Sequence, residues 1–297
     1  MMLRGKDGFV LILVLVILAF LTTLVLEFSY DVHATTANLK NWLGSQRLSL
    51  LASSGINLAS TAIKEQMRVY RYTYPEKVEM SLDRIVGGSN GKVFMRIEDE
   101  GGKINLNALI MRNKRLNNDV YNSLKRLLVI LKLDEGIADR IVDWIDEDNE
   151  PRLRGSEDYA KNGTFDSLDE VQLIKGIDRD VYEKLIPHVT VYGPTERMNI
   201  NINTASVPVI MSLHDAITEE IAQSIVRQRK IKPFEGLDDP DLTAILGYLK
   251  IPLMGRIDVR STAYRVKSVA EEEGLKRVVE SILEVRGAVM IRYWKEY

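Results

Sequence analysis

The feature that most constrains this 297-residue chain is an uncharged run of 18 residues, Phe9–Leu26. As a helix at about 1.5 Å per residue it is roughly 27 Å long, close to the hydrocarbon thickness of a bilayer. Such a segment can span. Arg4 and Lys6 precede it, and Glu27 and Asp31 are the first charges after it. The positive-inside rule therefore leaves the short N-terminus in the cytoplasm and everything after Leu26 on the far side. A cleaved secretory signal has an apolar region of about 7 to 15 residues and a small-residue cleavage triplet. The run here is longer, and "YDVHATTANL" offers no such triplet. An uncleaved membrane anchor fits the run taken alone.

Beyond it, Leu39, Trp42, Leu43, Leu48, Leu51, Ala52, Ile56, Ala59 and Ile63 recur at three- and four-residue steps, and no proline occurs before Pro75. The periodicity predicts one unbroken helix to about Met67, a rod on the order of 90 Å long. Trp42 is expected to pack under a head domain. Tyr70, Tyr72 and Tyr74 alternate, as in an exposed strand or the exit from the rod.

"GKVFMRIEDEGGKINL" (91–106) alternates apolar and polar residues around "DEGG", the signature of a hairpin. "RIDVRSTAYRVKSV", "LKRVVESILEV" and "AVMIRYWKEY" read as strands separated by "EEEG" and "RG" turns, although the middle one also fits a short helix. Strands early and late in the chain predict one antiparallel sheet on the rod, interrupted by an insertion. Residues 107–250 carry helical patterns throughout. "KINLNALI" and "NININTASVPVI" echo one another, each a short strand before an Asn or Thr suited to cap a helix. Two related subdomains, about 107–192 and 193–250, follow. The fold class is α+β: a long N-terminal transmembrane and amphipathic helix, an antiparallel sheet (71–106 and 251–297), and a large inserted helical domain.

With 40 bases against 42 acids the formal charge is −2, so no global field recruits nucleic acid. Cysteine is absent, which removes thiol catalysis, thiolate metal sites and disulfides. His33, His188 and His214 are too scattered in sequence to suggest a metal cluster. No G-x-S-x-G, H-E-x-x-H or phosphate-loop pattern occurs, and we expect no enzyme.

One stretch is strongly acidic: residues 134–183 hold 16 acids and 6 bases, a local charge of −10. Within "DEDNEPRLRGSE", Asp146, Asp148 and Glu150 alternate, and Glu157 lies eleven residues after Asp146. The spacing approximates a calcium loop, and clustered carboxylates are relieved by a hard divalent cation. Pro151 sits where an EF-hand requires glycine, so that loop geometry is not expected. Asp158 and Asp143 are further candidate ligands. The alternative is a solvated loop capping the "GIADRIVDWI" helix. Residues 201–240 also resemble the helix-hairpin-helix repeat of membrane-anchored DNA receptors, down to "FEGLDDP". Their turn "SLHDAITEE" lacks the glycine that such hairpins use against phosphate and carries two glutamates. Arg227, Arg229, Lys230 and Lys232 read instead as the basic end of a helix, and nucleic acid is not an expected partner.

A short basic leader ending in Gly8, Phe9 opening an apolar helix, and an amphipathic extension together resemble the type IV pilin and type II secretion pseudopilin N-terminus. The resemblance implies a leader (1–8) cut by a prepilin peptidase between Gly8 and Phe9, N-methylation of Phe9, a membrane helix (9–26) and its extension (27–70). The glutamate usual at the fifth mature position is replaced by Leu13. Together with "RIVDWIDEDNEPRLRGSEDY", "FDSLDEVQLIKGI" and "NINTASVPVI", that departure resembles the large minor pseudopilin, the general secretion pathway protein K family. This implies a pilin-like sheet, a structural calcium ion in the insertion, a bacterial inner-membrane location with a periplasmic head, a place at the pseudopilus tip, and partners among the other minor pseudopilins and the major pseudopilin. A type IV pilus minor pilin, which shares the leader, and a DNA receptor are the alternatives.

Overall fold

A computed structural model describes residues 4–73, 92–148, 150–272 and 274–297. Helix α1 (Arg4–Val69) runs 66 residues without a break, about 100 Å. Its far end lies on a four-stranded antiparallel sheet of order β1-β6-β7-β8, formed by β1 (Lys92–Asp99), β6 (Ala263–Glu272), β7 (Leu275–Arg286) and β8 (Ala288–Glu296). One stripe of α1 (Leu48, Ala52, Ile56, Ala59 and Ile63) is at most 2% exposed. It packs on Val93 and Met95 of β1, Tyr264 and Val266 of β6, and Val279 and Leu283 of β7. A Cβ on Gly55 would lie 2.2 Å from Ser268 Oγ, so only glycine lets the helix approach the sheet this closely.

The insertion leaves the sheet after β1 and returns at β6. Its elements are the two-residue strands β2 (Ile104–Asn105), β3 (Val189–Thr190), β4 (Ile200–Asn201) and β5 (Ile257–Asp258), and the helices α2 (Asn118–Ile130), α3 (Gly136–Ile145), α4 (Arg179–Leu185), α5 (Val207–Ser212), α6 (Glu219–Ile231), α7 (Pro240–Leu246) and α8 (Lys250–Leu253). Two helices carry side-chain caps that the sequence reading did not single out: Asn117 accepts from Val120 N–H and Thr218 from Ile221 N–H.

Two copies of one arrangement build the insertion. β2 pairs in parallel with β3, and β4 with β5. In the first copy the Asn107 amide brackets Phe165, accepting from its N–H (2.8 Å) and donating to its carbonyl (2.9 Å). In the second, Asn203 brackets Phe234 in the same way, at 2.9 Å for both bonds. Each phenylalanine opens a matching phrase, "FDSLDE" and "FEGLDD".

The α+β class, the long helix, the antiparallel sheet and the helical insertion agree with the sequence expectation, and three details differ. Residues 91–106 do not form a hairpin: β1 pairs with β6, and Ile104–Asn105 pairs with β3. The glycines of "DEGG" serve close approach, since a Cβ on Gly102 would lie 2.8 Å from the Ala205 nitrogen. The sheet resumes at Ala263, and β2 and β5 belong to the insertion, so the boundaries at 106 and 251 shift inward to the sheet. "LKRVVESILEV" is strand, bounded by Gly274 and Gly287, both at φ 81°, a conformation that glycine adopts without strain. Trp42 is 58% exposed because the head's footprint on α1 begins only near Gly44, which meets Leu275. The Tyr70 and Tyr72 rings lie 5.5 Å apart at the rod exit; Tyr74 lies outside the described residues.

Candidate functional site

The last turn of α3 and the loop after it bring three carboxylates together. One oxygen each of Asp143, Asp146 and Glu157 lies within 4.8 Å of the others. Asp143 and Asp146 are three residues apart at the helix end, hence on one face. The loop folds back so that Arg152 N–H donates to Asp143 Oδ2 at 3.1 Å. A Cβ on Gly155 would collide with that same oxygen, so glycine is required for the fold-back.

Electrostatically the cluster is underserved. Arg152 is the nearest cation, but its Nε is 3.7 Å from Asp143 Oδ1 and its Nη2 is 4.0 Å from Asp146 Oδ2. Asp146 Oδ1 and both Glu157 oxygens are buried without a hydrogen-bond partner. Burial, then the Asp148 and Asp143 charges, push Asp146 up to about 6. Burial and the neighbouring carboxylates raise Glu157 as well, and burial raises Asp143. Oxygen donors that repel one another and lack partners suit a hard divalent cation.

The other sequence candidates lie outside this group. Asp148 is exposed and accepts from the Glu150 N–H at 3.0 Å. Glu150 is exposed. Asp158 turns to Lys175 (2.9 Å) and Ser156, and those hydrogen bonds hold its carboxyl below the usual range. Asp143 was secondary in the spacing argument. The signal that marks it is the three-residue step to Asp146 across a helix C-terminus, which is a helical period, whereas the calcium-loop template counts alternate positions.

The basic run on α6 is used internally. Arg229 donates to the Ile202 and Ala205 carbonyls, both at 2.7 Å, Arg227 donates to Ser224, and Lys232 pairs with Glu235. Glu219 and Glu220 occupy the first turn of the same helix, where an anion would otherwise bind.

At the opposite end of the molecule, Gly8, Phe9 and Leu13 are consecutive parts of α1 and exposed. No residue from Gly8 to Leu43 is buried, and this portion includes a helix segment long and apolar enough to cross a membrane.

Comparison with known proteins agrees with this anatomy. A type II secretion system protein K from Pseudomonas aeruginosa is 29% identical over 80% of this chain and 76% of its own length. The Aeromonas hydrophila protein K is 22% identical over 96% of this chain and 94% of its own. A chain in the crystal structure of the GspK-GspI-GspJ complex from the enterotoxigenic Escherichia coli type 2 secretion system superposes with TM-score 0.74, 22% identity, and coverage of 88% of this chain and 99% of that one. Two family models, both described as type II secretion system protein K, match residues 102–194 and 200–259, together more than half of the chain. The rod, the sheet and the doubled helical insertion are thus those of a secretion component, and the chain belongs to the type II secretion system protein K family.

Proposed function

We propose that this chain, a minor pseudopilin of the type II secretion system, stands at the tip of the pseudopilus and is held there by packing of α1 against the rods of sibling subunits. The observation that carries the reading is the division of α1: the head covers the stripe from Leu48 to Ile63 and leaves Gly8 to Leu43 bare. In a bilayer, moving apolar surface from lipid to protein gains little, so rods associate through side-chain packing. The insertion crowns the end remote from the membrane and obstructs a further subunit above it. Leu13 fits the same position, since a subunit with nothing above it has no neighbour's amine for a carboxylate to meet, and an unpaired charge in apolar surroundings is costly.

The partners follow from this reading and from the GspK-GspI-GspJ assembly: sibling minor pseudopilins beside it, the major pseudopilin beneath, and a prepilin peptidase that cuts between Gly8 and Phe9 and methylates Phe9. The helix crosses the inner membrane once, with the head in the periplasm. A structural calcium ion is held by Asp143, Asp146 and Glu157; the buried oxygens without partners on Asp146 and Glu157 support this assignment. The ion neutralises the repulsion between α3 and its loop, and no covalent step belongs to the chain.

N-terminal sequencing of the native protein tests the processing, with methyl-phenylalanine at position 9 expected and an intact Met1 contradicting it. Co-isolation with sibling subunits tests the assembly. It should survive a substitution in the insertion such as Glu157→Gln and be lost when charges interrupt the 9–43 segment. Retention of siblings without an intact segment overturns the proposal. Calorimetric titration with calcium should show binding that Glu157→Gln abolishes.

A further inference from the structure

β1 ends at Asp99, and a second acid, Glu100, follows directly where the chain leaves the sheet for the insertion. Alternation along an extended chain sends their side chains to opposite sides, and both are buried.

Asp99 is surrounded by neutral donors. Its Oδ2 accepts from Thr204 Oγ1 (2.5 Å), Ser261 Oγ (2.7 Å) and Asn201 Nδ2 (2.8 Å), and its Oδ1 accepts from Gly101 N–H (2.8 Å). Asn201 and Thr204 belong to the second helical copy. The same Asn201 amide donates to the Thr73 carbonyl at 3.0 Å, and Thr73 N–H donates to the Val259 carbonyl at 2.7 Å. One carboxylate therefore gathers the rod exit, the end of β1, the approach to β6 and the second copy. Glu100 faces the first copy. Its Oε1 accepts from Lys103 Nζ (2.8 Å) and Arg265 Nε (2.9 Å), and its Oε2 from Thr190 Oγ1 (2.5 Å). Arg265 is on β6 and is itself paired with Glu280 of β7.

Comparison of the two copies shows that this bonding exceeds what the repeated fold needs. Asn105 and Asn201 occupy matching places, and the Oδ1 of each accepts from the N–H two residues on, at 3.0 Å in both. The Asn105 amide then donates to one acceptor, the Pro194 carbonyl. The Asn201 amide reaches out to Asp99, Thr73 and Ser261. A satisfied buried polar network specifies one arrangement, because every alternative leaves polar groups unpaired in a low dielectric.

We propose that Asp99 and Glu100 form a paired clamp, each acid gripping one helical copy, which fixes the orientation of the insertion on the sheet and rod. The two halves of the clamp act separately. Amide hydrogen exchange on the full chain in detergent micelles reads each half as local opening. Asp99→Asn should raise exchange at least tenfold over residues 200–205 and at Thr73, leaving 189–192 at the wild-type rate. Glu100→Gln should do the reverse. Spin labels on exposed Thr61 of the rod and Tyr248 of the second copy should show a distance distribution that broadens in Asp99→Asn and not in Glu100→Gln. Thr204→Val and Thr190→Val each remove one donor while keeping the acid. They should give the same two localised patterns with smaller amplitude, and they carry the test if an acid variant fails to fold. Exchange that rises uniformly through both copies in either valine variant, or in neither copy of any variant, overturns the clamp.

Discussion

Replacing Asp146 with asparagine should stabilise the ion-free protein and at the same time remove its response to calcium. Burial and the Asp148 and Asp143 charges lift Asp146 from an ordinary 3.8 to about 6. A shift of about two units at about 1.36 kcal/mol each sets a ceiling near 3 kcal/mol, and solvent screening of a loop site brings the working figure to roughly 1–3 kcal/mol. The sign follows from proton linkage. A carboxyl whose pKa is raised on folding binds its proton more tightly in the native state. Its stabilising contribution is present below about pH 4 and is lost as the pH rises through about 6. At pH 7.5 the ionised group is a penalty, and asparagine removes it. In chelator at that pH the variant should melt roughly 2–12 °C above the wild type, on the scaling of about 2–4 °C per kcal/mol for a head of this size. The gap should shrink to roughly half by pH 5 and close only below about pH 4. Calcium at about a hundred times its Kd should stabilise the wild type by about 2.7 kcal/mol and leave the variant unmoved. Differential scanning fluorimetry of the full chain in micelles, with chelator or with calcium from pH 5 to 8, provides the assay. A variant that melts below the wild type in chelator at pH 7.5 refutes the reasoning, because the Asp146 charge would then be favourably held without an ion.

Ile56→Ala should cost about 2–5 kcal/mol in urea denaturation, since Ile56 is buried between rod and sheet; Leu50→Ala on the exposed face should stay within about 0.5 kcal/mol. Asn203→Ala strands the Phe234 N–H and carbonyl and should cost roughly 2–4 kcal/mol in the same assay. Asn107→Ala should cost more, because it also strands the Val191 carbonyl. Leu13→Glu puts a carboxylate one turn into the apolar run at roughly 2–3 kcal/mol if unpaired, so a secreted reporter enzyme should fall in the culture supernatant, with Leu13→Met as the unchanged control.

What the sequence revealed depended on the range of the interaction. The rod was legible because nine apolar positions obey one helical period and no proline interrupts them, both local properties. The footprint of the head on the rod was not, since Trp42 and Leu48 obey the same period and only the sheet's length decides which is covered. The hairpin at 91–106 misled because alternation and "DEGG" are local signals, whereas Asp99 and Glu100 are committed to partners more than 80 residues away. The acid cluster was half legible: Asp146 and Glu157 stand out by charge density, but which neighbours join them depends on Arg152 and Gly155 folding the loop back onto Asp143.

The doubled insertion sets the acid loop apart from the repeated fold. Ile137-Ala138, followed two residues on by Ile141-Val142, matches Ile221-Ala222 and Ile225-Val226, so α3 and α6 are equivalent helices. In that alignment Asp143 falls opposite Arg227 and Ile145 opposite Arg229. From Ile145 to Phe165 the first copy spends 19 intervening residues, and from Arg229 to Phe234 the second spends four. Both copies nevertheless close with the same asparagine bracket on phenylalanine and bury the same face of the helix. The repeated fold is therefore complete without the acid loop. Its carboxylates, buried and short of partners, add a destabilising term that the second copy avoids by carrying arginine and a short connection. A segment that lowers the stability of the protein alone is retained most simply when something bound to it reverses the sign, and three convergent carboxylate oxygens fit a divalent cation in that role.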